Sequence, residues 1–178
     1  MKTVIRNHNS DIWFIVAFEE EFKSDRYNVL YLEGAGKILA AMGTQWLIDN
    51  FNPNIIINVG TAGGNPNKNI EIGRIYQIGK VIDRDYKAMH VVNPTITISK
   101  ENEANRCYTG DSFVEDWNDT DVEIVDMEAY AIAKVCKHPE NDTVFECYKY
   151  ISDTGKDSEW QESLEKCNQV FNEMFKDI

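Results

Sequence analysis

The sequence predicts an α/β protein, a single domain over residues 1–178 with a central mixed β-sheet flanked by helices. Three observations lead there. Strand-like apolar runs alternate with segments of helical periodicity, the pattern of a sheet covered by helices. One of those runs leads straight into a glycine cluster at 60–64, the kind of feature that ends a buried strand beside a ligand. The chain has 178 residues, 43% hydrophobic and 27% charged, which suits one folded core and no low-complexity region.

Residues 12–17 (IWFIVA) read as a buried strand. After a turn at Gly34-Ala35-Gly36, residues 38–50 carry apolar side chains at Ile38, Leu39, Ala41, Met42, Trp46 and Leu47, a helical stripe. Residues 55–59 form the next buried strand, and Gly60, Thr61, Ala62, Gly63 and Gly64 after it read as a loop where backbone amides can approach a ligand. Residues 73–82 alternate as a strand, whereas 93–107 are polar and give no clear pattern. A short strand over 123–126 precedes a small-residue helix over 127–136, and 144–151 is again a strand. Ser158 and Gln161 have capping-box spacing ahead of an amphipathic helix with Trp160, Leu164, Val170, Phe171, Met174 and Phe175 on its apolar face. No internal repeat or linker interrupts the order.

Charge narrows the partner. Thirty acidic against 18 basic residues give a formal charge of −12, which repels nucleic acid and anionic membranes and leaves a small molecule as the expected ligand. The apolar run 12–18 falls short of the roughly 20 residues a membrane helix needs and ends in Glu19, Glu20 and Glu21, so neither a spanning helix nor a signal peptide is expected. Cys107, Cys136, Cys147 and Cys167 form no C-x-x-C pair, and His8, His90 and His138 form no H-E-x-x-H. Reduced thiols, a cytoplasmic setting, no metal and no cofactor follow as expectations. The sequons at Asn118 and Asn141 carry no weight without a secretory signal.

Gly34-Ala35-Gly36 is no dinucleotide fingerprint, since the third glycine would fall at Leu39; a strand-to-helix turn accounts for it. Gly110-Asp111-Ser112 lacks the G-x-S-x-G setting of a serine hydrolase. The carboxylates are more informative. Glu21, Glu128 and Asp153 all stand at predicted strand ends, and although each alone suits a solvated or capping residue, their coexistence with the glycine cluster points to a shared site.

Six motifs occur in one order: AFEEE at 17–21, GAGK at 34–37, INVGTAGG at 57–64, TGDSF at 109–113, VDMEA at 125–129 and ISD at 151–153. In this the chain resembles the purine nucleoside phosphorylase superfamily, and within it the methylthioadenosine/S-adenosylhomocysteine nucleosidases. The resemblance implies a nucleoside phosphorylase-like sheet and cleavage of a purine N-glycosidic bond. Such cleavage builds positive charge on the ribose and negative charge on the base. By analogy Asp153, with Ser152 beside it, assists the departing purine at N7 as general acid, which needs a raised pKa. Glu128 as an ionised carboxylate holds the ribose hydroxyls, with Met127 beneath the sugar. Phe113 stacks on the purine and the Val114 backbone meets its edge. Thr61, Ala62 and Gly63 line the site, and Phe18 belongs to the wall for the 5′-group.

Asn58 stands where resembling phosphorylases carry a phosphate-binding arginine, and Glu21 matches the residue that activates water, so hydrolysis is favoured over phosphorolysis. Two departures bear on the substrate. Lys149 replaces an arginine expected near the water and Glu21, keeping the charge without the fork. The chain is also short around 22–30 and 85–107, where part of the 5′-pocket is built, which implies a wall largely missing or completed by a partner subunit. A homodimer is expected, with Trp46, Leu47 and the residues after Gly64 at its seam. The rival readings are a phosphorylase, a nucleosidase for another purine nucleoside, and a catalytically silent nucleoside binder.

Overall fold

The computed structural model describes residues 1–7, 10–86, 94–117 and 121–178; His8, His90, Asn93 and Asn118 lie outside the described residues. The framework is a run of strands β1 (Lys2–Val4), β2 (Ile12–Val16) and β3 (Asn28–Tyr31), then helix α1 (Lys37–Phe51) and strand β4 (Ile55–Gly64). Strands β5 (Ile75–Gln77), β6 (Lys80–Asp83), β7 (Thr95–Thr97), β8 (Arg106–Thr109) and β9 (Ile124–Asp126) follow. Helix α2 (Ala129–Cys136), strand β10 (Val144–Asp153) and helix α3 (Asp157–Met174) complete it.

All ten strands share one mixed sheet with β4 as its hub. The first half of β4 pairs parallel with β2, which pairs parallel with β3, and β1 closes that edge antiparallel. Along its other edge β4 pairs parallel with β10, and at Gly63 and Gly64 it turns to β9, which continues through β8 and β6 to β7. The alternation of β2 sorts its side chains between two cores. Trp13 and Ile15 pack with Ala40 and Leu47 of α1 and Ala129 and Ile132 of α2, while Phe14 and Val16 pack with Cys167 and Phe171 of α3. The result is the expected layering of helices on both faces of a mixed sheet.

Several local expectations change. The glycine cluster is not a loop: β4 runs on to Gly64, because β10 and then β9 supply ladder partners for its backbone groups. Residues 73–82 break into β5 and β6, since Ile78 N–H still bonds to Cys147 of β10 whereas Gly79 N–H has crossed to Asn105. The unassigned stretch contains β7 and the start of β8. The capping box does not form: α3 begins at Asp157, and Glu159 rather than a Ser158 cap accepts the Thr154 N–H at 3.1 Å. Leu47 is fully buried in the core and cannot belong to a dimer seam. No helix among the described residues is long and apolar enough to cross a membrane.

Candidate active site

The carboxyl ends of β2, β4, β9 and β10 open onto one pocket of about 770 Å³, which the starts of α2 and α3 also border. Glu21, Glu128 and Asp153 all line it and all are buried.

Glu21 sits in the turn that follows β2. Its Oε2 accepts the Phe18 N–H at 3.1 Å, and its Oε1 accepts the Thr61 N–H at 2.8 Å and the Thr61 hydroxyl at 2.5 Å. The carboxylate lies close against β4 at Gly60, where an added Cβ would stand a tight 3.2 Å from Oε1. Asp153 ends β10, where Ser152 Oγ donates to Oδ2 at 2.7 Å and the Gly155 N–H to Oδ1 at 2.8 Å.

Glu128 stands between β9 and α2, and its Oε1 accepts the Gly36 N–H at 3.0 Å. Gly36 makes that bond at φ 115°, a conformation that favours glycine, so the turn before α1 is built to meet Glu128. Burial pushes the Glu128 carboxyl up to about 7; the Lys149 ammonium works against this and the neighbouring Asp126 adds to it. Burial thus opposes ionisation at the position where the resemblance implies an ionised carboxylate.

Lys149 also departs from expectation. It is buried beneath the pocket and absent from its lining, with Nζ 2.8 Å from Asp126 Oδ2 rather than beside Glu21. Asp126 further accepts the Thr109 hydroxyl at 2.6 Å and the Ala129 N–H at 2.8 Å. Burial alone would raise the Asp126 carboxyl, but Lys149 and these donors outweigh it and hold it below the usual range. The pair thus pins the start of α2, and Glu128 with it.

Phe18, Thr61, Ala62, Gly63, Phe113, Val114, Met127 and Ser152 all border the pocket as expected. Phe113 is half exposed at its lip. The loop that carries it is clamped from outside: Arg84 Nη2 donates to the Ser112 carbonyl, the Asp111 N–H to Asp85 Oδ2 at 2.7 Å, and the Lys37 N–H to Asp111 Oδ1 at 2.7 Å. Lys37 Nζ adds ion pairs at 2.9 Å to both Asp83 and Asp85.

Sequence reasoning missed Trp160, Asp157, Ala35, Val125 and Asp126 in the lining. Trp160 had been counted as a core position of α3; the available signal was an indole seven residues after Asp153, too soon in the helix to reach the core that Cys167 and Phe171 fill. Its ring meets Phe18 edge-on at 5.9 Å, so the apolar wall is less depleted than the short sequence suggested.

The family model of the phosphorylase superfamily matches residues 21–102. A 5′-methylthioadenosine/S-adenosylhomocysteine nucleosidase from Oceanobacillus iheyensis is 31% identical over 144 residues, covering 63% of this chain and 62% of that protein. One from Bacillus licheniformis is 27% identical over 195 residues, covering 89% and 82%. The chain therefore spans less than two thirds of the first of these relatives. Among solved structures, the nucleosidase from Neisseria meningitidis in complex with methylthio-immucillin-A superposes with a TM-score of 0.73 at 21% identity, covering 88% of this chain and 92% of that one. The Helicobacter pylori nucleosidase with butyl-thio-DADMe-immucillin-A gives 0.75 at 16% identity, covering 94% and 98%. At such identities the superpositions speak for the fold.

Proposed function

We propose that this chain, which resembles the phosphorylase superfamily over residues 21–102, hydrolyses the N-glycosidic bond of a purine nucleoside, methylthioadenosine or S-adenosylhomocysteine above others, and releases adenine. The observation that carries this reading is the convergence of Glu21, Glu128 and Asp153, each buried, on one pocket that also holds Phe18 and Phe113. Two separate carboxylates suit the two proton transfers of the reaction. Asp153 protonates N7 as the bond from C1′ to the base breaks and its electrons move into the purine. Glu21 takes a proton from the water whose oxygen bonds to C1′. Between them Glu128, with Met127 beside it, faces the ribose and offsets its growing positive charge.

Hydrolysis is favoured over phosphorolysis by the same lining. Glu21 borders the pocket, and a carboxylate there that takes the proton from water repels a phosphate dianion. The relatives that are methylthioadenosine/S-adenosylhomocysteine nucleosidases, one of them solved with methylthio-immucillin-A, support these two nucleosides as substrates. The unit is read as one catalytic domain over 1–178 that works as a homodimer in the cytoplasm, a setting consistent with four free, buried thiols.

The test is a panel of purine nucleosides incubated with and without phosphate while free base is followed. Release of adenine from methylthioadenosine at equal rates in both conditions is expected. A requirement for phosphate would make the chain a phosphorylase, and no release from any nucleoside would make it a binder.

A further inference from the structure

Trp160 stands in the first turn of α3, and its indole N–H donates to Thr61 Oγ1 at 2.9 Å. That hydroxyl in turn donates to Glu21 Oε1 at 2.5 Å. An indole nitrogen can only donate, and a threonine hydroxyl has a single hydrogen. With the indole directed at the Thr61 oxygen, the hydroxyl hydrogen is left to Glu21, so the polarity of the chain from Trp160 through Thr61 to Glu21 is fixed. The other oxygen of Glu21 accepts the backbone N–H of Phe18, whose ring meets Trp160 edge-on at 5.9 Å. Both oxygens of Glu21 are therefore tied to the two aromatic residues of the pocket's apolar end.

We propose that Trp160 is a positioning residue that couples occupancy of this apolar end to the orientation of Glu21. A 5′-alkylthio group packed on the Trp160 ring restrains its rotation, holds the indole N–H on Thr61, and so keeps Glu21 turned toward the attacking water. The 5′-group then contributes to turnover as well as to binding, an interaction realised as the reaction proceeds. This rests on the nucleosidase reading above and adds a residue and a coupling to it. A purely structural Trp160, with its N–H satisfied by the nearest acceptor, would show no such link.

The decisive comparison is Trp160→Phe, which keeps a ring and removes the N–H, measured alone and in a Thr61→Ala background. For methylthioadenosine, kcat should fall about tenfold, the worth of one hydrogen bond, with KM changed less than about twofold. In the Thr61→Ala background the same substitution should cost less than about twofold, because the route through Thr61 is already gone. The kcat advantage of methylthioadenosine over adenosine should also shrink in Trp160→Phe. Equal losses in both backgrounds, or a loss confined to KM, would overturn the coupling. A second readout needs no turnover: in the nitrogen-15 spectrum the Trp160 indole resonance, identified by its disappearance in Trp160→Phe, should move in Thr61→Ala, and an unmoved resonance overturns the relay. If the wild type cleaves no nucleoside, the proposed function falls and takes the coupling with it; if it cleaves methylthioadenosine and Trp160→Phe matches its kcat, only the coupling falls.

Discussion

Glu128 is the pocket carboxyl that burial pushes upward. Unfolded it ionises near 4.5, and in the fold burial moves this to about 7. Between those values the native state holds a proton that the unfolded chain has lost, so stability is greatest at acid pH and falls as pH rises through about 7. The full difference is about 3 kcal/mol. Urea unfolding at pH 5 and pH 8 should show the wild type losing that much relative to Glu128→Gln, which keeps an acceptor for the Gly36 N–H. Parallel pH profiles for the two proteins would refute it. Asp153 and Glu21 are separable by kinetics. Under the proposed reaction, Asp153→Asn would remove the acid for the leaving base and should lower kcat about a hundredfold or more with KM nearly kept. Glu21→Gln should abolish hydrolysis while adenine still binds in calorimetry, and loss of both together would assign Glu21 to binding instead.

At the scale of elements, α3 links the second core to the site. Phe171 is fully buried, stacks on Phe175 at 6.2 Å, and meets Phe22 edge-on at 6.2 Å, and Phe22 directly follows Glu21. Phe171→Ala should cost about 3–5 kcal/mol and lower kcat, because α3 also carries Trp160; a urea midpoint within experimental error of the wild type would show that α3 is not anchored there. The elements that were legible in sequence are those whose residues carry their own period. β2, α1 and β10 announce themselves by runs or stripes that the cores require. β1, β3 and β7 are three or four residues long and owe their existence to neighbours, which no local pattern reports. The glycine cluster misled in a similar way, since only the pairing of β10 and β9 makes strand of Gly60 to Gly64. Motif order singled out Glu21, Glu128 and Asp153, which the fold brings to one pocket. Lys149 was misplaced because its nearest carboxylate, Asp126, is set by the approach of β9 to β10. Trp160 was missed because its role depends on an N–H pointing across the pocket, a direction that spacing does not encode.

For the whole molecule, the remaining unexplained surface is apolar. Ile38, Met42 and Trp46 recur every four residues along α1 and are 76%, 58% and 38% exposed, a stripe on the side of the helix turned away from the core that Leu47 fills. The same helix begins at the turn where Gly36 holds Glu128, so a partner seated on this stripe would brace the site from outside. We propose a homodimer through α1, which would account for both features and leave Leu47 out of the seam. It also makes an unusual demand on salt. Each chain carries a formal charge of −12, and two of them repel over distances that added salt screens, while the apolar seam itself is not weakened by it. Dimerisation should therefore tighten as salt rises from low to physiological ionic strength, the reverse of what an ion-paired interface would do. Sedimentation at micromolar concentration should show a dimer for the wild type and a monomer for Met42→Glu, with unchanged circular dichroism in the variant. A dimer that loosens with salt, or survives Met42→Glu, would place the interface elsewhere.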